Sequence, residues 1–536
     1  MKTPSLRVAG FLGAIFTPLL LGCAAPPPPA EAVRVLTVAE TSGYTATSTY
    51  AETVALMDRL ADPGAFVGSR LLRRASMGKT GEGRDIPLLI LADPPVADPE
   101  AAYASGKAVV LVFANIHAGE VCGKEALPML VREIVSEPAA PWARKILDNV
   151  VLVLAPIYNA DGNERFGPNE RNRPGQIGPD MMGQRANAQG LDLNRDYMKL
   201  DAPETRAMAH FFTTWRPHMV IDCHTTNGSL HRYTLTYGAS QLPAGDTRPL
   251  EWTRNVLLPA VNQRVLKKDG FDTFWYGDFN AFHTEWRTYP WNPRYGANYA
   301  GLRGMVAILS EAYAYAPFKD RVLSTLAFVR ECVLFAAENR VALIKVVEDA
   351  RREAAKGEPA EVPIRFEYAT YPERLTVKGW QMRPKDGGGV ESTGVEKDYA
   401  DVEFWGRFVP TMTVERPRAY LIPPTHAAIV ENLRAHGVRV EEERIERTAE
   451  VEEYVIVSVE DKPAFQQRQM KLAEVEKRSA ERRIGPGWVR VPVDQELGTL
   501  AVYLLEPAAD DGLAAWDFFG GELVGGGVYP VVRIPR

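Results

Sequence analysis

The sequence predicts an α/β protein: a mostly parallel mixed sheet with helices on both faces, followed by a smaller C-terminal α/β domain. Three observations carry this reading. The short apolar runs Ala108–Phe113, Val150–Leu154, Met219–Ile221 and Met305–Leu309 have the character of strands buried on both faces. Segments with helical spacing alternate with them, at Gly123–Ile134, Pro203–Trp215 and Val322–Val347. A chain of 536 residues also exceeds one ordinary core, so two or three domains are expected.

The elements follow in order. A helix is predicted from Ser48 to Leu60, capped by Thr47 or Ser48, with Val54, Leu56, Met57 and Leu60 on its apolar side. Arg70–Ser76 and Ile86–Leu91 read as a hairpin around the turn-rich stretch Lys79–Arg84. The alternating strands and helices come next, interrupted by a loop-rich region from Thr273 to Gly301. Beyond Ala355, Pro359, Pro363 and the run Gly387–Gly389 mark looser connections. There, Ala419–Ile422, a helix near His426–His436 and Val438–Val440 suggest a βαβ-like piece. The charged stretch Lys471–Arg483 reads as a solvated helix face.

At the N-terminus Lys2 and Arg7 precede an apolar run, Val8 to Leu21, that is too short to span a bilayer comfortably. Leu20-Leu21-Gly22-Cys23 resembles the lipobox of bacterial lipoproteins. That resemblance implies cleavage before Cys23, lipid on its thiol and, with Ala24 following, an outer-membrane anchor facing the periplasm. Pro26 to Pro29 fit a stiff tether. The expected division is thus a signal peptide over 1–22, a Pro-rich tether over 23–44, a catalytic domain over 45–350 and an accessory domain over 358–536.

Composition excludes some classes. The chain is 46% hydrophobic and 24% charged with a net charge of −6, so no basic excess points to nucleic acid. No other apolar run is long enough to cross a membrane. Cys122, Cys223 and Cys332 remain after cleavage, which is no disulfide framework, although one bridge could form.

Chemistry gathers at the ends of the apolar runs, where parallel sheets place their sites. The first run leads into His117 and Glu120, three residues apart at a strand-to-helix turn. The third ends in Asp222-Cys223-His224, and the fourth in Ser310-Glu311. Two imidazoles and a carboxylate suit zinc with a position left open for water. A further carboxylate nearby can move the water's proton. Between these runs lie Tyr158-Asn159-Ala160-Asp161-Gly162, Arg185-Ala186-Asn187 and Asp192-Leu193-Asn194-Arg195.

In that order, over roughly residues 45–345, the chain resembles the zinc carboxypeptidases of the A and B type. The resemblance implies one zinc ion on His117, Glu120 and His224, with Asp192 orienting the first histidine. It implies that Arg185 steadies the scissile carbonyl and that Asn194 and Arg195 hold the substrate's terminal carboxylate. Glu311 is then the general base. Ala160 departs from the family, which often has Pro there. The family's mobile tyrosine has three candidates, Tyr289, Tyr295 and Tyr299. His231 is read as lining the cleft or lying on the surface, and His210 and His218 as ordinary helix and loop residues.

The expected function is zinc-dependent removal of a C-terminal amino acid from a peptide. A cell-wall peptide or an N-acyl amino acid is the alternative substrate, and a non-catalytic binding lipoprotein the alternative class. Membrane contact is expected through the N-terminal lipid only, with no nucleic-acid partner.

Overall fold

The computed structural model describes residues 35–385 and 390–536, together with Met1. Cys23, the signal and tether, and the run Gly387–Gly389 lie outside the described residues. Leu36–Arg536 form one compact unit.

The predicted hairpin is present as β1 (Leu72–Lys79) and β2 (Asp85–Leu91). Next come β3 (Ala108–Ala114) and β4 (Val150–Ala155), a short ladder of β5 (Gly167–Pro168) with β6 (Met181–Met182), and β7 (Met219–Thr226). β8 (Leu235–Ala239), β9 (Thr273–Trp275), β10 (Asp278–Phe279), β11 (Glu285–Arg287) and β12 (Val306–Tyr313) follow. The main sheet has eight strands in the order β1-β2-β4-β3-β7-β12-β8-β9. Its four central strands run parallel and its flanks add antiparallel pairs.

Both faces are covered. Val109, Leu111 and Phe113 share one core with Met208, Phe211 and Trp215 of the helix Pro203–Trp215. On the other face the helix Cys122–Ser136 comes so close that a Cβ on Gly123 would meet the Cβ atoms of Ala114 and Cys223 at 2.6 and 2.8 Å. Glycine is required at that approach.

The chain leaves β3 to pair with β4 on one side and later returns to place β7 on the other. A crevice therefore opens outside the carboxyl ends of β3 and β7. Asn115 makes the exit turn with a left-handed φ of 66°, which Asn tolerates better than most residues.

Several sequence expectations are corrected. The helix Tyr50–Ala61 is capped by Thr49, whose side chain and Glu52 form a reciprocal capping box; Thr47 and Ser48 instead bond to buried Glu125 at 2.7 and 2.8 Å. The long helix over 322–347 is two helices, Phe318–Glu338 and Arg340–Ala355, broken at Asn339, whose φ/ψ of −111°/25° is not helical. The region 273–301 holds three short strands and the helix Gly296–Leu302.

The C-terminal region is richer in sheet than predicted. It contains β13 (Glu361–Pro384), β14 (Val390–Glu415), β15 (Ala419–Ile422), β16 (Glu441–Glu442), β17 (Arg447–Phe465), β18 (Arg468–Ile484), β19 (Val489–Pro492) and β20 (Val532–Ile534). No parallel βαβ unit forms. Antiparallel β19 and β20 occupy both edges of β15, so residues 438–440 have no edge to join. The stretch over 471–483 lies in β18 rather than a helix. Its Ala, Glu, Lys and Arg content favours helix locally, but pairing with β17 wins, and Arg478 and Arg482 close on Glu453 across the ladder. β14 also pairs with β11, joining the C-terminal region to the rim of the crevice. Among the described residues no helix is long and apolar enough to cross a membrane.

Candidate metal centre

The crevice is a cavity of about 550 Å³ lined by His117, Glu120, Arg185, Asn194, Arg195, His224 and Glu311 among others. Every predicted site residue whose atoms are described therefore meets here except Asp192, which stands directly behind His117.

The geometry starts from the pleat of β7. Asp222 and His224 face the cavity and Cys223 faces the helix behind, as alternation requires. In the neighbouring strand Glu311 stands in register with His224, and Leu309 with Asp222. His117 and Glu120 come from the loop after β3. His117 Nδ1 lies 3.0 Å from Glu120 Oε1, and His224 Nδ1 lies 2.9 Å from Glu120 Oε2. One donor atom from each of the three falls within 4.8 Å of the others, and all three side chains are buried.

The outward nitrogens are also held. His117 Nε2 lies 2.9 Å from Asp192 Oδ1, and His224 Nε2 lies 2.9 Å from Asp222 Oδ2. Asp222 approaches off the hydrogen-bond direction, so neither of its oxygens has a well-aligned partner. Asn194 Nδ2 also stands 3.4 Å from His224 Nε2. Both cannot be served by one tautomer. The nearer carboxylate favours a proton on Nε2, in competition with the Asn194 amide.

Asp192 is the hub of the wall. Besides His117, its Oδ1 accepts the Asn194 backbone N–H at 2.9 Å, and its Oδ2 accepts from Arg185 Nε and Nη2 at 3.0 and 2.7 Å. Arg185 Nη1 remains, 3.6 Å from Glu120. Arg195 rests on the ring of Tyr295 at 4.2 Å, and Asn194 Oδ1 accepts the Gly296 N–H at 2.7 Å.

The charges set the protonation states. Burial raises the Glu120 carboxyl, but His117 and Arg173 outweigh it and hold it well below its ordinary range. Asp192 behaves likewise beside His117, Arg195 and Arg185. Burial lowers His224, yet Asp222, Glu120 and Glu311 around it push it well above the usual imidazole value. Metal binding at His224 must therefore release a proton. Burial lifts Glu311 from 4.5 to about 8, with Glu120 and Asp222 adding to the effect.

These residues fit zinc. Two imidazole nitrogens and a carboxylate oxygen converge, the outer nitrogens are backed by carboxylates, and the buried Glu311 Oε2 has no hydrogen-bond partner beside them.

Three contributors escaped sequence reasoning. Asp222 had a signal, since it sits two residues before His224 on one strand face. Arg173 had none: it lies in an irregular loop, yet its buried fork reaches Glu120 Oε1 at 2.8 Å and the Thr225 carbonyl at 2.5 Å. Tyr276 lines the cavity from the segment after β9.

The tyrosine candidates separate. Tyr289 and Tyr295 line the cavity, whereas Tyr299 is buried away from it, with its hydroxyl 2.7 Å from His436 Nδ1. His231 is neither in the cleft nor on the surface. It is buried, stacked on Tyr313 at 3.9 Å, and its Nδ1 accepts the Tyr233 N–H. His210 is exposed on its helix, and His218 Nδ1 accepts the Val109 N–H at 3.0 Å. All three described cysteines are buried and unpaired.

The flanking motifs are scaffold. Asp161 is fully buried and accepts from Thr80, the Glu82 N–H and Arg84, so the Lys79–Arg84 turn locks onto it. Asn159 Nδ2 donates to the Ile116 and Arg185 carbonyls, tying the His117 loop to the Arg185 segment.

A parallel-centred sheet with this centre at its carboxyl edge, beside an arginine and asparagine facing the same cavity, defines a metallocarboxypeptidase. Residues 65–269 match the family model described as zinc carboxypeptidase. It is similar to Carboxypeptidase 2 of Trichophyton rubrum, 26% identical over 479 residues covering 85% of this chain and 81% of the relative. That share is more than residues 45–350 alone supply, so the likeness runs into the C-terminal region. Carboxypeptidase Z of Homo sapiens is 29% identical over 157 residues, 28% of this chain and 21% of that protein. Among solved structures, a metallo-carboxypeptidase from Burkholderia cenocepacia aligns with a TM-score of 0.40 and 17% identity, covering 55% of this chain and 70% of that one.

Proposed function

We propose that the protein removes single C-terminal residues from peptides. One observation carries this reading: Asn194 and Arg195 line the same cavity as the His117–Glu120–His224 centre and Glu311. A peptide's terminal carboxylate pairs with the Arg195 guanidinium and the Asn194 amide, which suits the planar fork of arginine. That anchorage brings the last peptide bond under Arg185 Nη1, the one nitrogen of that fork not spent on Asp192, where it stabilises negative charge developing on the carbonyl oxygen. Glu311 accepts a proton from the attacking water at its unpartnered Oε2 and delivers it to the leaving nitrogen. Zinc on His117, Glu120 and His224 supplies the Lewis-acid charge that acidifies water and polarises the carbonyl.

The N-terminal pattern is part of the same proposal and rests on sequence alone: lipid on Cys23 anchors the enzyme at the outer membrane, facing the periplasm. Labelling with a fatty-acid analogue, lost in Cys23→Ser, tests it.

The test of function is digestion of a peptide library read by mass spectrometry, with N-acyl amino acids and muropeptides in parallel. Loss of one C-terminal residue, abolished by chelator and restored by zinc, is expected. Internal cleavage, or no cleavage by zinc-loaded protein, overturns the proposal.

A further inference from the structure

The wall that carries Asp192 is braced from the far end of the chain. β17 and β18 meet in a tight turn in which Phe465 pairs with Arg468 and only Gln466 and Gln467 lie between. Both glutamines adopt left-handed φ, 49° and 64°. Such turns favour Asn and Gly, and two glutamines there store strain that the surroundings must hold. The surroundings are the active-site wall. Gln466 Oε1 accepts the Asp192 backbone N–H at 2.8 Å, and Gln467 Nε2 donates to the Gln189 carbonyl at 2.9 Å. Arg468 forks onto Asp201 at 2.8 and 2.6 Å, and Asp201 lies 3.0 Å from buried Lys199.

The loop that backs Arg195 is fastened in the same way. The Arg294 N–H and guanidinium bond Asp511, and Trp291 Nε1 donates to Asp510 at 2.7 Å, four residues before the Tyr295 that supports Arg195.

We propose that Gln466 is a positioning residue. By fixing the Asp192 backbone, it aims the carboxylate that orients His117 and holds Arg185. The inference rests on the reading of Asp192 as the partner of a metal ligand. Gln466 touches neither metal nor substrate; its effect passes through Asp192. Gln466 is only half-buried and Gln467 is exposed, so the turn adds little to the core.

The test compares full-length Gln466→Met, which keeps length but cannot accept that bond, with Gln466→Glu, which keeps an acceptor. Zinc affinity is measured by competition with a chromophoric chelator, alongside kcat, KM and thermal stability. For Gln466→Met, zinc affinity and kcat each about 10-fold lower are expected, the low end of the 10–100-fold that loss of a ligand's direct outer partner costs, because Gln466 acts one contact further out through Asp192. KM and melting temperature should hardly move, and Gln466→Glu should recover most of the loss. Unchanged zinc affinity in Gln466→Met overturns the proposal. So does a loss that follows melting temperature and is not recovered by Gln466→Glu. Zinc affinity reads the brace even if the carboxypeptidase reading fails, so the two failures are distinguishable.

Discussion

Glu311→Gln separates chemistry from architecture, because the structure assigns the carboxylate a cost as well as a task. The side chain is half-buried with its Oε2 shut away from solvent and without a partner, and desolvation lifts its carboxyl from 4.5 to about 8. An acid whose folded-state value lies above its unfolded one favours folding below the unfolded value and loses that advantage as pH rises through the folded one. In the chelated protein the penalty is therefore absent near pH 4, below about 1 kcal/mol at pH 5, and on the order of 4 kcal/mol at pH 8. Gln fills the same space without a charge, so the variant should be more stable than the parent at pH 8 and nearly equal at pH 5. Urea denaturation of both chelated proteins at the two pH values measures this. Zinc content should be unchanged, because Glu311 is not among the three converging donors. Turnover should fall by roughly 10²–10⁴-fold, the scale of a lost general base. A variant less stable than the parent at pH 8, or zinc-loaded and fully active, would refute the reasoning.

Two further substitutions probe the walls. Arg195→Ala removes a charged anchor worth about 1.5–3 kcal/mol, so kcat/KM for a blocked dipeptide should fall about 10–100-fold, while residual hydrolysis of its C-terminal amide stays unchanged; equal losses on both substrates would contradict carboxylate anchoring. Asp222→Ala removes the carboxylate behind His224 and should weaken zinc binding about 10–100-fold, read by chelator competition; unaltered affinity would show that Asn194 or water orients that imidazole instead.

The catalytic half was legible because local and global signals agree there. Each apolar run in question is a strand, and each ends at the cavity: β3 at His117, β7 at His224, β12 at Glu311. Parallel strands buried on both faces cannot hide their polar residues mid-sheet, so those residues collect at the carboxyl edge. Legibility fails where function depends on contacts remote in sequence. Arg173 reaches Glu120 from an irregular loop with no periodicity to read. β18 has helix-favouring composition, and only β17 across the ladder makes it a strand. Gln466 is 274 positions from the backbone it holds.

The charge pattern ties these parts together. Around the centre stand four carboxylates, Glu120, Asp192, Asp222 and Glu311, and three guanidiniums, Arg173, Arg185 and Arg195. Alone they leave one excess negative charge in a buried place, which is costly. The chelated protein relieves it by taking up a proton, and both Glu311 and His224 have values raised in the direction that accepts one. A dication replaces that proton and overshoots by one positive charge. A substrate carboxylate on Arg195 restores neutrality with Glu311 ionised and able to accept a proton. Metal with an anionic chain end thus balances these seven groups as the proton does in the chelated protein, but it leaves Glu311 ionised. The same arithmetic explains why Arg173 is needed: without it, Glu120 would face Asp222 and Glu311 with one cation fewer, and the proton would compete better against the metal for His224.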